Sequence, residues 1–209
     1  MKRLHLERLE DRRPAAVAAF GLNFFDAECR EVETVQVGQR FYAEITAREF
    51  DPSTAGLAAI ALDIEWNPQV MRAIGVEVTD ELPGQSGGTI DNMAGTIDDL
   101  AGVSVLYSGY GRPIGNWFAE RFALLEFEAT APGESLLTMH EGRSRIVTSP
   151  TATFSSAELD FETQTITVEP FEDSAVGSTP TANVTSGGAL GAESSIILDF
   201  DTLQCRMVE

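Results

Sequence analysis

From Ile60 to Trp66 apolar and polar side chains alternate, with Ile60, Leu62, Ile64 and Trp66 on one side and Ala61, Asp63 and Glu65 on the other. Successive side chains of a strand point to opposite faces, so this spacing predicts a half-buried β-strand with one apolar and one wet face. Asn67-Pro68 ends it, because proline has no backbone N–H to give to a ladder. The same period recurs upstream. Val35, Val37 and, after Gly38-Gln39, Phe41, Ala43, Ile45 and Ala47 form one face, while Tyr42, Glu44, Thr46 and Arg48 take the other. Further strands are predicted at Gly21–Phe25, Ala73–Val78, Val103–Tyr107, Trp117–Thr130, Leu136–Met139 and Glu158–Val168. Within the last, Leu159, Phe161, Ile166 and Val168 are the core candidates, and Glu162 to Thr165 is read as a hairpin tip or a bulge. Glu81 to Gly102 reads as a long acidic, glycine-rich connection. Turn residues separate the runs, and no long amphipathic helix is visible. The expectation is an all-β fold, an antiparallel β-sandwich of jelly-roll type with seven to nine strands. Closure into a barrel is the alternative to this sandwich.

Composition sets the limits of this domain. The strand signals occupy residues 20–170, about 150 residues, enough for a core without metals or disulfides. Residues 1–19 precede them, and 171–209 follow as a Ser/Thr/Gly-rich linker or tail whose composition gives it little apolar surface to bury. Within that tail, Ser195 to Phe200 is apolar enough to form an edge strand. Cys29 and Cys205 are the only cysteines, so they allow one internal bridge or remain as thiols.

The net charge is −19, from 33 acidic and 14 Lys or Arg residues. It is unevenly spread: residues 1–13 hold five basic side chains against three acidic ones. A chain this acidic repels phosphate backbones, which argues against nucleic-acid binding. No run of 18 apolar residues exists, so no transmembrane segment is predicted. Leu6 to Arg13, reading LERLEDRR, resembles a short N-terminal motif found on many large exported proteins of one bacterial group, with Arg8 where that motif often has proline. The resemblance implies an exported, extracellular or cell-surface protein.

Candidate chemistry is sparse. Nucleophilic catalysis needs a base held against Ser or Cys. The two histidines are poorly placed for it: His5 lies in the export-like segment, and His140-Glu141-Gly142 reads as a turn after a strand. Asp63 with Glu65 form a carboxylate pair of the kind glycoside hydrolysis uses, but on a wet strand face they read as solvated side chains. Asp91, Asp98 and Asp99 are the calcium candidates, in an oxygen-rich stretch where Met93 takes a position that an EF-hand-like series gives to oxygen. The binding candidates are aromatic. Tyr107, Tyr110 and Trp117 surround a glycine-rich turn, where flat rings stack on sugars or anchor a protein partner. The plainer reading makes Tyr107 and Trp117 strand residues facing the core, and Trp66 a core residue.

Joined together, the segments resemble a cohesin-type module of the kind known from cellulosomes. The resemblance rests on Val37-Gly38-Gln39 before an early strand, Gly56-Leu57-Ala58, Ile64-Glu65-Trp66-Asn67-Pro68, and Phe122 to Phe127 followed by Ala131-Pro-Gly-Glu134. It spans roughly Val35 to Val168. Trp66-Asn67 stands where Tyr-Asp is commoner, and Gln39 where Asp is frequent. The resemblance implies a non-catalytic extracellular module with a dockerin-type protein partner, calcium entering chiefly through that partner's own loops. Sandwich relatives of similar shape bind polysaccharide directly through aromatic side chains, which is the alternative. No ligand-contact motif of the family is matched, so no contact residue is carried over.

Overall fold

The computed structural model describes residues 18–50, 54–104, 111–143, 146–148 and 159–171. Through them run β1 (Ala18–Phe25), β2 (Thr34–Gln36), β3 (Arg40–Glu49), β4 (Leu57–Glu65), β5 (Met71–Val78), β6 (Ser86–Asp91), β7 (Thr96–Val103), β8 (Glu120–Ala129), β9 (Gly133–Glu141), β10 (Val147–Thr148), β11 (Leu159–Phe161) and β12 (Gln164–Glu169). The first sheet has the order β11-β1-β3-β8-β5. The second has the order β2-β12-β9-β4-β7-β6, with β10 beside β4. The all-β sandwich is therefore as expected, with more strands than the seven to nine foreseen. Several of the additional ones, β2, β10 and β11, are only two or three residues long.

Three local expectations change. Residues 81–102 are not one connection but contain the β6–β7 hairpin. β6 is an edge strand exposed on nearly every residue, so it shows no apolar alternation. The β7 pattern is interrupted where its pairing with β4 slips between Leu62 and Ile64. The second change is that the sheets are mixed, because β11 runs parallel to β1 and β12 parallel to β2. The third follows from it: the link between β11 and β12 carries the chain from one sheet to the other and is neither hairpin tip nor bulge.

Large and small side chains alternate across the inner face of the first sheet. Phe20 lies opposite Ala47 and Phe24 opposite Ala43, while Phe127 faces Phe41 and Leu125 faces Ala43. Phe41 packs edge-on to Phe24 at 5.9 Å and stacks on Phe127 at 5.7 Å. The second sheet contributes Ile60, Leu62, Ile64, Ile97, Leu100, Leu137, Met139, Ile166 and Val168, all buried. Full burial of a side chain of this size stabilises by about 1.5–3 kcal/mol.

Trp66 lies just beyond the end of β4 and is buried, as its alternation predicts. Its ring meets Phe127 edge-on at 5.4 Å, and its Nε1 donates to the Met71 carbonyl at 3.1 Å. Asn67-Pro68 then turns the chain into β5 of the other sheet. The Asn67 side-chain oxygen accepts from the Gln69 N–H at 3.1 Å, an Asx turn. Gly95, at φ 74°, lets the β6–β7 hairpin approach this corner: a Cβ there would sit 2.4 Å from the Trp66 carbonyl oxygen.

Two further devices hold the edges. Asn92, in the β6–β7 hairpin of the second sheet, reaches β5 of the first. Its Oδ1 accepts from the Ala73 N–H at 2.7 Å, and its Nδ2 donates to the Ala73 carbonyl at 2.9 Å. After β1, the buried Asp26 accepts from the Glu28 and Arg30 N–H groups, each at 2.9 Å, and from Arg30 Nε at 2.7 Å. This turn carries Cys29 at φ 61°. Cys29 is disulfide-bonded. Cys205, Ser195 to Phe200 and the export-like segment lie outside the described residues.

Candidate functional site

The two outer faces of the sandwich are built alike and charged differently. Because Phe41, Ala43 and Ile45 point inward on β3, Arg40, Tyr42, Glu44 and Thr46 point outward, and the period of two does the same on β5 and β8. Three ion pairs cross this outer face of the first sheet. Arg40 Nη1 meets Glu126 Oε1 at 3.1 Å, Arg72 Nε meets Glu128 Oε2 at 2.7 Å, and Arg121 Nε meets Glu44 Oε1 at 2.6 Å. Tyr42 lies buried beside them. Burial raises its phenol pKa, the Glu126 charge adds to the rise, and Arg40 opposes it. Three of the arginines on this face are thus each paired with a glutamate.

The second sheet has no such arrangement. Its strands carry Asp63 and Glu65 on β4, Asp91 on β6, Asp98 and Asp99 on β7, Glu134 and Glu141 on β9 and Glu169 on β12, with no Lys or Arg among them. Ala59, Asp63 and Glu65 of β4 point outward, opposite to Ile60, Leu62 and Ile64. Across from them, His140 is the register partner of Asp63, and Thr138 that of Glu65. His140 Nε2 stands 4.0 Å from Glu65 Oε2, and both side chains are more than half exposed. Leu136 on β9 and Val103 at the end of β7 add apolar surface, at 51% and 43% exposure. The result is an acidic face with the apolar side chains of Leu136 and Val103 exposed beside it.

The calcium candidates are not gathered into one site. Asp91 Oδ1 accepts from the Met93 and Ala94 N–H groups at 2.8 and 3.0 Å, closing the β6–β7 turn. Asp99 Oδ1 accepts from the Arg143 N–H at 2.9 Å, while the Asp99 N–H donates to Asp63 Oδ1 at 2.8 Å. Asp98 is exposed opposite Thr89. Among the described residues no group of three His, Cys, Asp or Glu side chains is placed to hold a metal ion.

Of the aromatic candidates, Tyr107 and Tyr110 lie outside the described residues, and Trp117 is not the strand residue its sequence suggested. Strand β8 begins only at Glu120, and Trp117 sits in the preceding loop at φ 65°, 44% exposed. Phe118, which alternation gave no reason to single out, is 77% exposed beside it. The loop is tied to both sheets. Ile114 exchanges two backbone hydrogen bonds with Leu57 of β4, at 2.7 and 3.0 Å. The Glu49 N–H of β3 donates to the Gly115 carbonyl at 2.7 Å, and the Trp117 N–H to the Glu49 carbonyl at 3.2 Å. Gly115, at φ 77°, permits this approach, since a Cβ there would lie 2.6 Å from the Ala47 carbonyl oxygen. Glu120 closes the loop by accepting from the Gly115 N–H at 3.0 Å and from Arg112 Nη1 at 3.0 Å, and Arg112 also meets Glu81 at 3.1 Å.

No family model matches the sequence, and no curated protein matches it. Solved structures do. The seventh ScaB type I cohesin of Pseudobacteroides cellulosolvens is 15% identical, with a TM-score of 0.53 over 81% of this chain and 98% of its own. A type I cohesin–dockerin complex of Clostridium thermocellum, Coh-OlpC-Doc435, is 11% identical, with a TM-score of 0.55 over 74% of this chain and 95% of its own. The third ScaC cohesin of Acetivibrio cellulolyticus, in complex with the ScaB dockerin, is 12% identical, with a TM-score of 0.53 over 72% and 98%. At such identities the likeness concerns backbone architecture, and it agrees with the sequence resemblance reached independently. The chain has the fold of a cohesin module.

Proposed function

We propose that this chain is a non-catalytic, exported module that attaches to a dockerin-type protein partner through the outer face of its second sheet. The observation that carries the reading is the asymmetry between the two faces. On the first sheet Arg40, Arg72 and Arg121 of the outer face are each paired with a glutamate. On the second, eight strand-borne carboxylates have no Lys or Arg on the same strands. A partner that brings Lys or Arg to this face gains attraction and faster encounter, and the exposed Leu136 and Val103 supply desolvated contact beside it. The cohesin-like structures solved with dockerins support the class of partner. Calcium enters mainly with that partner's loops. The export-like N-terminal segment supports an extracellular or cell-surface setting, and no described helix is long and apolar enough to cross a membrane.

The test is calorimetric titration of the full chain with a panel of dockerin modules, in calcium and again in EDTA. Saturable binding that EDTA abolishes is the expected result. An absence of binding across the panel in calcium would leave only the fold.

A further inference from the structure

The loop that carries Trp117 and Phe118 pairs with the start of β4, at the opposite end of that strand from Glu65, and nothing in the reading above uses it. Two large aromatic side chains stand exposed on it at 44% and 77%. Its backbone is held to β3 and β4 by hydrogen bonds of 2.7–3.2 Å, so the rings ride on a pre-ordered support. Trp117 keeps a left-handed backbone at φ 65°, a conformation that a bulky side chain adopts only when its surroundings impose it and that clusters at functional positions. Arg112 and Glu120 are adjacent, paired with each other at 3.0 Å and both still partly exposed. Asn116 precedes the tryptophan and is exposed too.

We infer that this loop is a binding site for a neutral glycan, with Trp117 and Phe118 as the stacking surface and Asn116, Arg112 and Glu120 as hydrogen-bonding neighbours. Three features select that class. The exposed parts of the two rings amount to roughly 250 Å². This is well short of the ~800 Å² per partner of a stable protein interface, yet it suits the face of one or two sugar rings. The C–H face of a pyranose is apolar and weakly positive, complementary to the negative face of an aromatic ring, while its hydroxyls need donors and acceptors at the rim. The Arg112–Glu120 pair and the Asn116 amide supply both. Finally, a net charge of −19 disfavours acidic glycans.

The site is read out by its own chromophore. The chain has two tryptophans, and Trp66 is buried with its indole N–H bonded to Met71. Fluorescence accessible to acrylamide therefore comes from Trp117. The full chain is run in affinity gels containing neutral polysaccharides (cellulose derivative, xylan, mannan) and one anionic polymer, polygalacturonate, and is titrated with the neutral hexasaccharides under acrylamide quenching. Retardation by at least one neutral glycan, with Trp117 shielded from the quencher, is expected. Trp117→Gly suits the positive φ and so preserves the fold while removing the ring. It should weaken retention about tenfold or more, and Phe118→Ala should weaken it as well. Glu65→Lys, on the second-sheet face, should leave it unchanged, which separates this site from the partner face. Retention on none of the neutral glycans, retention on polygalacturonate alone, or unchanged affinity in Trp117→Gly would each overturn the inference.

Discussion

Asn92 offers a sharp test of how the sandwich is closed along its β5–β6 side. Its side-chain amide makes two hydrogen bonds to one residue, 2.7 Å from the Ala73 N–H and 2.9 Å to the Ala73 carbonyl, and so stands in for the next strand along that edge of the first sheet. Asn92→Ala removes both. At a net ~0.5–1.5 kcal/mol each, and with the Ala73 groups partly withdrawn from water, the loss is about 2 kcal/mol, or roughly 4–8 °C in Tm for a domain of this size. Asn92→Asp separates the two bonds. It keeps the acceptor for the Ala73 N–H but sets a carboxylate oxygen against the Ala73 carbonyl. Ionisation is then unfavourable in the folded state, so the pKa of the new carboxyl rises on folding. The penalty is full above that raised pKa and relieved as the pH falls through it and the acid regains a donor proton. Urea denaturation followed by tryptophan fluorescence, at pH 7 and at pH 4, measures both variants, with an unchanged m-value indicating intact two-state unfolding. An Asn92→Ala variant within about 0.5 kcal/mol of the wild type, or an Asn92→Asp variant whose deficit is the same at both pH values, would refute the reasoning.

Two further predictions follow from single residues. Trp66→Phe leaves the buried Met71 carbonyl without its indole donor and opens a void beside Phe127, at a cost of about 2–4 kcal/mol; a loss below about 1 kcal/mol in the same denaturation assay would contradict the role given to that hydrogen bond. For Asp26, burial pushes the carboxyl pKa up, but the hydrogen bonds and charge of Arg30 and the Glu28 N–H outweigh it and leave the pKa below 3.8. A lowered folded-state pKa contributes stability above 3.8 that is lost as the pH falls through the folded value. Asp26→Asn should therefore lower stability near neutrality and converge with the wild type in acid, and parallel stability–pH curves would count against it.

Much of the scaffold was legible because a half-buried strand writes its faces into the sequence. The inward set of β3 and β8, the core position of Trp66 and the stop at Asn67-Pro68 all follow from a period of two and the chemistry of proline. Where both faces of a strand are wet the period has nothing to mark, and this is why β6 passed for a connection. Where the ladder slips, as between Leu62 and Ile64 against β7, the period is interrupted. Parallel pairing of the last strands with the first two depends on contacts remote in sequence and leaves no local mark. The site was less legible. Asp63 and Glu65 were visible as a wet face, but that the neighbouring strands carry no Lys or Arg became apparent only once β4, β7 and β9 were placed side by side. Trp117 was singled out as an aromatic near a turn, yet its exposure depends on a left-handed backbone that Gly115 and Glu49 impose from elsewhere, and Phe118 carried no signal at all.

The central claim is that the partner docks on the acidic face of the second sheet, and a matched pair of charge reversals tests it most directly. Glu65 stands exposed on that face between Thr138 and Thr96, and Glu77 stands exposed on the outer face of the first sheet beside Leu124. Glu65→Lys and Glu77→Lys change the net charge of the chain by the same amount. The measurement is the affinity of each variant for the dockerin-type module that the wild type binds, at two salt concentrations. The account predicts that Glu65→Lys weakens binding about tenfold, mainly through slower association, with a shallower salt dependence, while Glu77→Lys stays within about twofold of the wild type. Equal loss in both variants, or loss confined to Glu77→Lys, would contradict it.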